Sequence, residues 1–354
     1  MQIFGELVNN KIIVKKSKDV GRLYNKSNLG KTTTGNKLSL NLLESVFLLG
    51  EEKIRIFQDR EEIDFQTLVK KAAERIPHFE IKYLIFRDLR KRGLFVKLSE
   101  ENKDDDLYVY KRENGEGEKE KLCLISAFSE RDIIDINKIK YLIESAVKQS
   151  GELWFAIVDE EGDLTYYDVS KLDIKGKVRG HKFSKTTGTL LENRVVIFDK
   201  KLGGNLLEKE FFGKPFGNGL QLSMVEALYL MEKNVIDIEN VVTDRKNSVK
   251  KFKEFIQKSQ PDIDLRITVF NDLKKRGLIV KTGFKFGAHF RAYTKKPDET
   301  HAEYLIHAVD KNFKRIWAEI SRAVRLAHSV NKEIMFARVE ENNIDYIRFG
   351  RLRP

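Results

Sequence analysis

Proline is scarce in this chain, with 5 residues in 354, and cysteine occurs once, as Cys123 inside the apolar run LCLISAF. A single thiol forms no intrachain disulfide and builds no cysteine-rich metal site, so a reduced, cytoplasmic setting is expected. The rarity of proline and the lack of long low-complexity tracts leave most of the chain free to fold compactly. Long apolar runs are missing too. No stretch approaches about 18 uninterrupted apolar residues, and Met1 leads into a charged, amphipathic segment, so neither a membrane span nor a signal peptide is expected. Negative charge is in deficit: 66 Lys and Arg stand against 54 Asp and Glu, a formal charge of +12. That balance favours a polyanionic partner, nucleic acid first. With 34% of residues charged, a Lys/Glu-rich surface of the thermophile kind accounts for the same excess without such a partner.

What the chain does contain is a second copy of itself. Phe86 to Lys97 reads FRDLRKRGLFVK and Phe270 to Lys281 reads FNDLKKRGLIVK, an offset of 184. Upstream, LSLNLLESVFLL from Leu38 matches LQLSMVEALYLM from Leu220 at an offset of 182. Downstream, FAIVDEEGDLTYY from Phe155 matches FARVEENNIDYI from Phe336. Three matches in one order imply duplication of a unit of roughly 170 to 180 residues, far longer than a solenoid repeat.

Apolar periodicity predicts helices over Leu38–Gly50 and Leu220–Lys233 as the first of each copy. Short strands are predicted before them, at Lys11–Val14 and Arg194–Asp199. Further helices are expected over Phe65–Arg75 and Ser248–Lys258, ending near Pro77 and Pro261. Beyond the prolines, helices Ile81–Arg92 and Leu265–Arg276 are closed by Gly93 and Gly277, placed as C′ glycines. Strands follow at LFVK and LIVK, LYVY and FRAY, LCLISAF and YLIHAV, LWFAIV and IMFARV, interrupted by a helix over Ile133–Gln149 and Phe313–Ser329. The fold class expected is α/β (α+β), two tandem copies, each a small N-terminal α+β subdomain followed by an α/β module with a mixed sheet. The divisions are 1–80 and 81–172 for copy one, an exposed basic linker at 173–189, and 190–260 and 261–354 for copy two.

The copies differ in chemistry. Copy two holds Tyr293 and His301, eight residues apart across a polar loop, and Lys332 a further 31 residues on. Each is expected at a strand end, so the three can converge. A phenol, an imidazole and an ammonium suit phosphodiester transesterification without metal or other cofactor: one group takes the 2′-hydroxyl proton, one protonates the leaving oxygen, one neutralises the phosphorane. In copy one Tyr110 aligns with Tyr293, but Glu120 stands at the position of His301, Gly151 at that of Lys332 and Glu144 at that of Arg325. Copy one thus reads as structural and copy two as reactive. Each residue has a plainer explanation as well: Tyr293 as a half-buried strand residue, His301 as a cap, Lys332 as a solvated side chain. His307 and His328 sit in apolar contexts that predict packing, His289 could approach a nucleic acid, and His78 and His181 have no companions. No His/Asp/Glu cluster has metal-ligand spacing. The basic LRKRG and LKKRG segments are explained by helix dipole and capping alone.

The stretch KTGFKFGAHFRAYTKKPDETHAEYLIHAV followed by RAVRLAHSVNKEIMFARV resembles the nuclease module of archaeal tRNA-splicing endonucleases of the duplicated, homodimeric type, and the resemblance covers almost the full length. It implies cleavage of precursor tRNA at a bulge-helix-bulge, leaving 2′,3′-cyclic phosphate and 5′-hydroxyl ends, with Tyr293 as general base, His301 as general acid and Lys332 as electrostatic stabiliser. A tyrosine ordinarily titrates near 10, so a local cation or the substrate must assist that base. The resemblance also implies a pair of arginines that sandwich a bulged base, Arg325 with Arg351, or with Arg348 if loop length shifts the register. Finally it implies that Asp159, Glu160, Glu161 and Asp163, in VDEEGDL, form an acidic loop that docks on the catalytic copy of a second subunit. Taken alone, DEEGD is simply a good hairpin turn. Two other readings remain open: a structured-RNA-binding scaffold with an inert triad, and a metal-dependent DNA nuclease, which needs clustered carboxylates that copy two lacks.

Overall fold

Asn41 and Ser223 begin the amphipathic helices of the two N-terminal subdomains, and they do so by the same device. The computed structural model describes residues 2–99, 106–110, 121–149, 151–240, 246–297, 299–341 and 343–354. In it the Asn41 side chain accepts the N–H of Glu44 while the Glu44 carboxylate accepts the N–H of Asn41, a capping box that Ser223 and Glu226 repeat. The helices are therefore Leu42–Gly50 and Met224–Glu232, and the residues before each cap form strands, Lys37–Leu40 and Gly219–Leu222. This corrects the longer helices expected from periodicity. Nor are they the first of their copies, since Ser17–Gly21 and Lys200–Glu210 precede them.

Each N-terminal subdomain is a six-stranded sheet in the same spatial order. Its central parallel pair is Ile3–Val8 with Ile54–Gln58 in one copy and Thr186–Leu191 with Ile236–Asn240 in the other. The buried glutamates of the capping boxes also reach across the fold. Glu44 accepts the N–H of Gly30 and Glu226 that of Gly213, each at 2.9 Å, while Lys97 and Lys281 donate to the carbonyls of the same two glycines. Both lysines belong to the following module, so subdomain and module are tied identically in the two copies.

The following modules share one sheet. Copy one contributes β1 (Phe95–Leu98), β2 (Leu107–Tyr110), β3 (Lys121–Ser129), β4 (Leu153–Val158) and β5 (Leu164–Lys171). Copy two contributes β6 (Ile279–Thr282), β7 (Phe290–Tyr293), β8 (Tyr304–Asp310), β9 (Glu333–Glu340) and β10 (Asn343–Leu352). The order is β6-β7-β8-β9-β10-β5-β4-β3-β2-β1, a palindrome about the β10–β5 seam. The seam is antiparallel, from Tyr166 opposite Leu352 to Lys171 opposite Ile347. Asp345, fully buried, lies 3.3 Å from both Arg338 and Lys140 and also pairs with Lys171, so charges from both copies meet there. A short antiparallel pair, Ile133–Asp135 with Lys314–Ile316, joins the copies again. It takes the first residues of the helices expected from Ile133 and Phe313, which instead run Ile136–Gln149 and Trp317–Ser329. Buried Trp317 stacks on Tyr167 of the other copy, centroids 6.1 Å apart.

The repeated FRDLRKRG and FNDLKKRG motifs close the helices Phe79–Lys91 and Ile263–Lys275 at Gly93 and Gly277, both in the left-handed region. Their aspartates are structural: Asp88 takes Arg92 and the Tyr166 hydroxyl, and Asp272 takes Arg276 and the Tyr346 hydroxyl. The linker differs from expectation. Residues 186–189 belong to a subdomain strand, and 173–185 lack regular structure but are docked. Ile174 is buried, the N–H groups of Gly176 and Val178 donate to the carbonyls of Arg276 and Gly277 at 2.9 Å, and the His181 N–H reaches Glu210. A Cβ on Gly176 would stand 2.1 Å from the Gly277 carbonyl oxygen, so only glycine fits that approach. Among the described residues no helix is long and apolar enough to cross a membrane.

Candidate active site

Three neighbouring strands of copy two end or begin at one side of the sheet, and the candidate residues lie at those ends. Tyr293 is the last residue of β7, His301 precedes the first residue of β8 by three positions, and Lys332 immediately precedes β9. Register holds the ends level, with Ala292 opposite Tyr304 and Tyr304 opposite Glu333.

Their environments differ. Tyr293 is 7% exposed and packs with Ile279, Ala302, Phe211 and the linker residue Val178, with the Arg291 guanidinium 5.8 Å from its ring centre. His301 is exposed. Lys332 is half-buried, its ammonium donating to the Val330 carbonyl at 3.2 Å and lying 5.3 Å from the Phe286 ring centre. It lines a cleft of about 440 Å³ with Glu303, Tyr304, His328, Asn331 and Glu333.

Glu303, which the sequence did not single out, connects the three ends. Its N–H donates to the Ala292 carbonyl at 3.1 Å and its own carbonyl accepts the N–H of Glu333 at 2.9 Å. Its carboxylate accepts the N–H and the hydroxyl of Thr294, at 2.9 and 2.6 Å. The residues adjoining Tyr293 and Lys332 are thus both bonded to Glu303, two positions after His301. The only signal in the sequence was an acid between His301 and the start of an apolar strand.

The other histidines divide. His328 is exposed and lines the Lys332 cleft, which corrects its expected packing role. His307 stacks on Phe336 further along the sheet, and burial, helped by neighbouring His289, pushes its imidazole down to about 4. His289 is committed to structure, its Nδ1 accepting the N–H of Ala308 at 3.0 Å.

Of the arginines, Arg325 is exposed on the helix Trp317–Ser329, and exposed Arg351 is the cross-strand partner of Tyr167. Burial raises the Tyr167 phenol, while the charges of Arg325 and Arg351 act against that rise. Arg348 is occupied: it donates to Ser170 at 3.2 Å and to Glu333 at 3.1 Å and pairs with Asp168. Arg348 is thus committed to its neighbours, whereas Arg351 is exposed.

In the acidic loop Asp159 is consumed by the turn, accepting the N–H groups of Glu161 and Asp163 at 3.0 and 2.8 Å. Glu160 pairs with Arg131, and Glu161 and Asp163 are exposed. In copy one Tyr110 ends β2 opposite Phe95, Gly151 is exposed with φ +90°, and Glu144 is exposed on its helix. Glu120 lies outside the described residues. Among the described residues no three His, Cys, Asp or Glu side chains gather as metal donors. At adjoining strand ends copy two places a phenol, an imidazole and an ammonium, groups able to move protons and to offset negative charge.

The family model for the tRNA intron endonuclease catalytic C-terminal domain matches residues 79–166 and again 263–346, and the model for the N-terminal domain matches 3–69 and 186–252. The chain is 35% identical over 354 residues to a tRNA-splicing endonuclease of Methanococcoides burtonii, covering 98% of this chain and 99% of that one. It is 35% identical over 327 residues to that of Methanosarcina barkeri, covering 90% and 91%. It is 28% identical over 351 residues to that of Haloferax volcanii, covering 94% and 95%.

Proposed function

The chain belongs to the tRNA intron endonuclease family, and on that premise we propose that it excises introns from precursor tRNA in the cytoplasm, cutting at bulge-helix-bulge sites by metal-independent transesterification. The observation that carries the reading is the level placement of Tyr293, His301 and Lys332 at the ends of three adjacent strands. Tyr293 takes the proton of the 2′-hydroxyl, whose oxygen attacks the adjacent phosphorus. Lys332 offsets the charge that builds on the phosphorane oxygens. His301, being exposed, reaches the departing 5′ oxygen and protonates it, so the products carry a 2′,3′-cyclic phosphate and a 5′-hydroxyl. Arg325 and Arg351 stack on the two faces of a bulged base.

Assembly follows from the asymmetry of the copies. One chain holds one reactive copy, whereas an intron has two junctions, so a homodimer supplies the second site. Glu161 and Asp163 of the acidic loop are the side chains free to engage the partner. The test is cleavage of a bulge-helix-bulge RNA in excess chelator. Cyclic-phosphate product is expected, reduced about 10²- to 10⁴-fold by His301→Ala with unchanged circular dichroism. Binding without cleavage would replace this reading with that of an RNA scaffold, and loss of activity in chelator would refute metal independence.

A further inference from the structure

The segment between the two copies runs across the reactive end of the second. Its main chain bonds to Arg276 and Gly277 through Gly176 and Val178, its Asp173 pairs with Arg276 at 2.6 Å, and the His181 N–H is anchored on buried Glu210. Between these anchors the side chains alternate as in an edge strand. Ile174, Gly176 and Val178 face inward, and Val178 packs in the small cluster that holds Tyr293. Lys175, Lys177 and Arg179 are exposed. Lys175 pairs with Asp173, whereas Lys177, Arg179 and the following Lys182 make no ion pair among the described residues.

A basic strap fastened at fixed points beside a candidate general base is more than a connector. We infer that residues 175–182 form part of the substrate-binding surface of copy two, with Lys177 and Arg179 neutralising RNA backbone phosphates next to the linkage that Tyr293 serves. The inference rests on the proposed nuclease reading for the identity of the polyanion. Val178, the inward residue between the two cations, packs in the Tyr293 cluster, so Lys177 and Arg179 flank that cluster on its solvent side. Phosphate contacts of this kind contribute affinity and register without sequence preference.

The experiment measures binding of a bulge-helix-bulge RNA by fluorescence anisotropy across a KCl series, using the full chain carrying His301→Ala so that the RNA survives. Adding Lys177→Ala and Arg179→Ala is expected to raise Kd about tenfold at ~0.1 M salt and to flatten the log Kd against log salt slope by about 1.5 to 2. Adding Lys16→Ala and Lys18→Ala, exposed in the N-terminal subdomain of copy one, is expected to change neither. Unchanged Kd and slope for the strap variant would overturn the inference, and so would an equal loss from the control pair, which would indicate a diffuse field. Cleavage by the unsubstituted chain is scored separately: strap-dependent binding without cleavage would refute the nuclease reading and leave the strap standing.

Discussion

The carboxylate of Glu303 takes both the N–H and the hydroxyl of Thr294, at 2.9 and 2.6 Å, so the residue after Tyr293 is clamped to the residue two places after His301. Breaking that clamp frees the β7 end relative to the β8 end without removing any of the three candidate catalytic groups. Glu303→Ala is expected to cost about 2 kcal/mol of stability, the scale for hydrogen bonds to a charged acceptor. It should also lower single-turnover cleavage more than it weakens RNA binding. Glu303→Gln keeps one acceptor oxygen and should recover most of both. Equal losses in binding and cleavage would indicate a general distortion instead.

Arg348 and Arg351 separate stability from recognition. Arg348→Ala strands Asp168 and Glu333 and should lower the melting temperature. Arg351→Ala, at an exposed position, should leave it unchanged while weakening RNA binding by about 0.5 to 2 kcal/mol, the scale of a guanidinium–π contact. The reverse pattern in melting and binding curves would reassign the pair.

The acidic loop makes a similar distinction possible. Asp159 is needed for the turn itself, so its replacement confuses folding with assembly. Glu161→Gln with Asp163→Asn removes only exposed charge. Sedimentation at micromolar concentration should show a smaller dimer fraction with unaltered melting; an unchanged mass would remove the loop from the interface.

A pH dependence follows from His307. Burial, followed by the charge of His289, lowers its folded pKa to about 4 from an unfolded value near 6.5. The unfolded chain therefore binds more protons between these values, and stability rises with pH across them. The contribution is fully present above about 6.5 and is lost as pH falls through about 4, with a ceiling of about 3 kcal/mol. His307→Phe keeps the stack on Phe336 and removes the titration. Thermal melts at pH 7 and pH 4.5 should show a smaller drop for the variant than for the unsubstituted chain.

The helices Phe79–Lys91 and Ile263–Lys275 were legible because their signals are local: an apolar stripe and a glycine whose φ is positive. The strand ends carrying Tyr293, His301 and Lys332 were legible for the same reason. β5 and β10 were not anticipated as the join between copies. Their polar residues, Asp168, Lys171, Asp345 and Arg348, pair across the seam, and that obscures the alternation a strand normally displays. The linker is exposed along much of its length as expected, but its docking was not foreseen because it depends on Gly176 meeting Gly277 across a hundred residues of chain, a proximity no local pattern encodes. Glu303 was missed on similar grounds, since half of its bonds use main-chain groups that every residue has.

The β5–β10 seam has a consequence for how the chain is held as a unit. Six consecutive cross-strand pairs, from Tyr166–Leu352 to Lys171–Ile347, together with the Trp317–Tyr167 stack, bind the halves side by side. The peptide connection is then not what keeps them together. Two polypeptides split between the halves are expected to pair through the same six registered positions, which leaves the joining segment free to serve other ends.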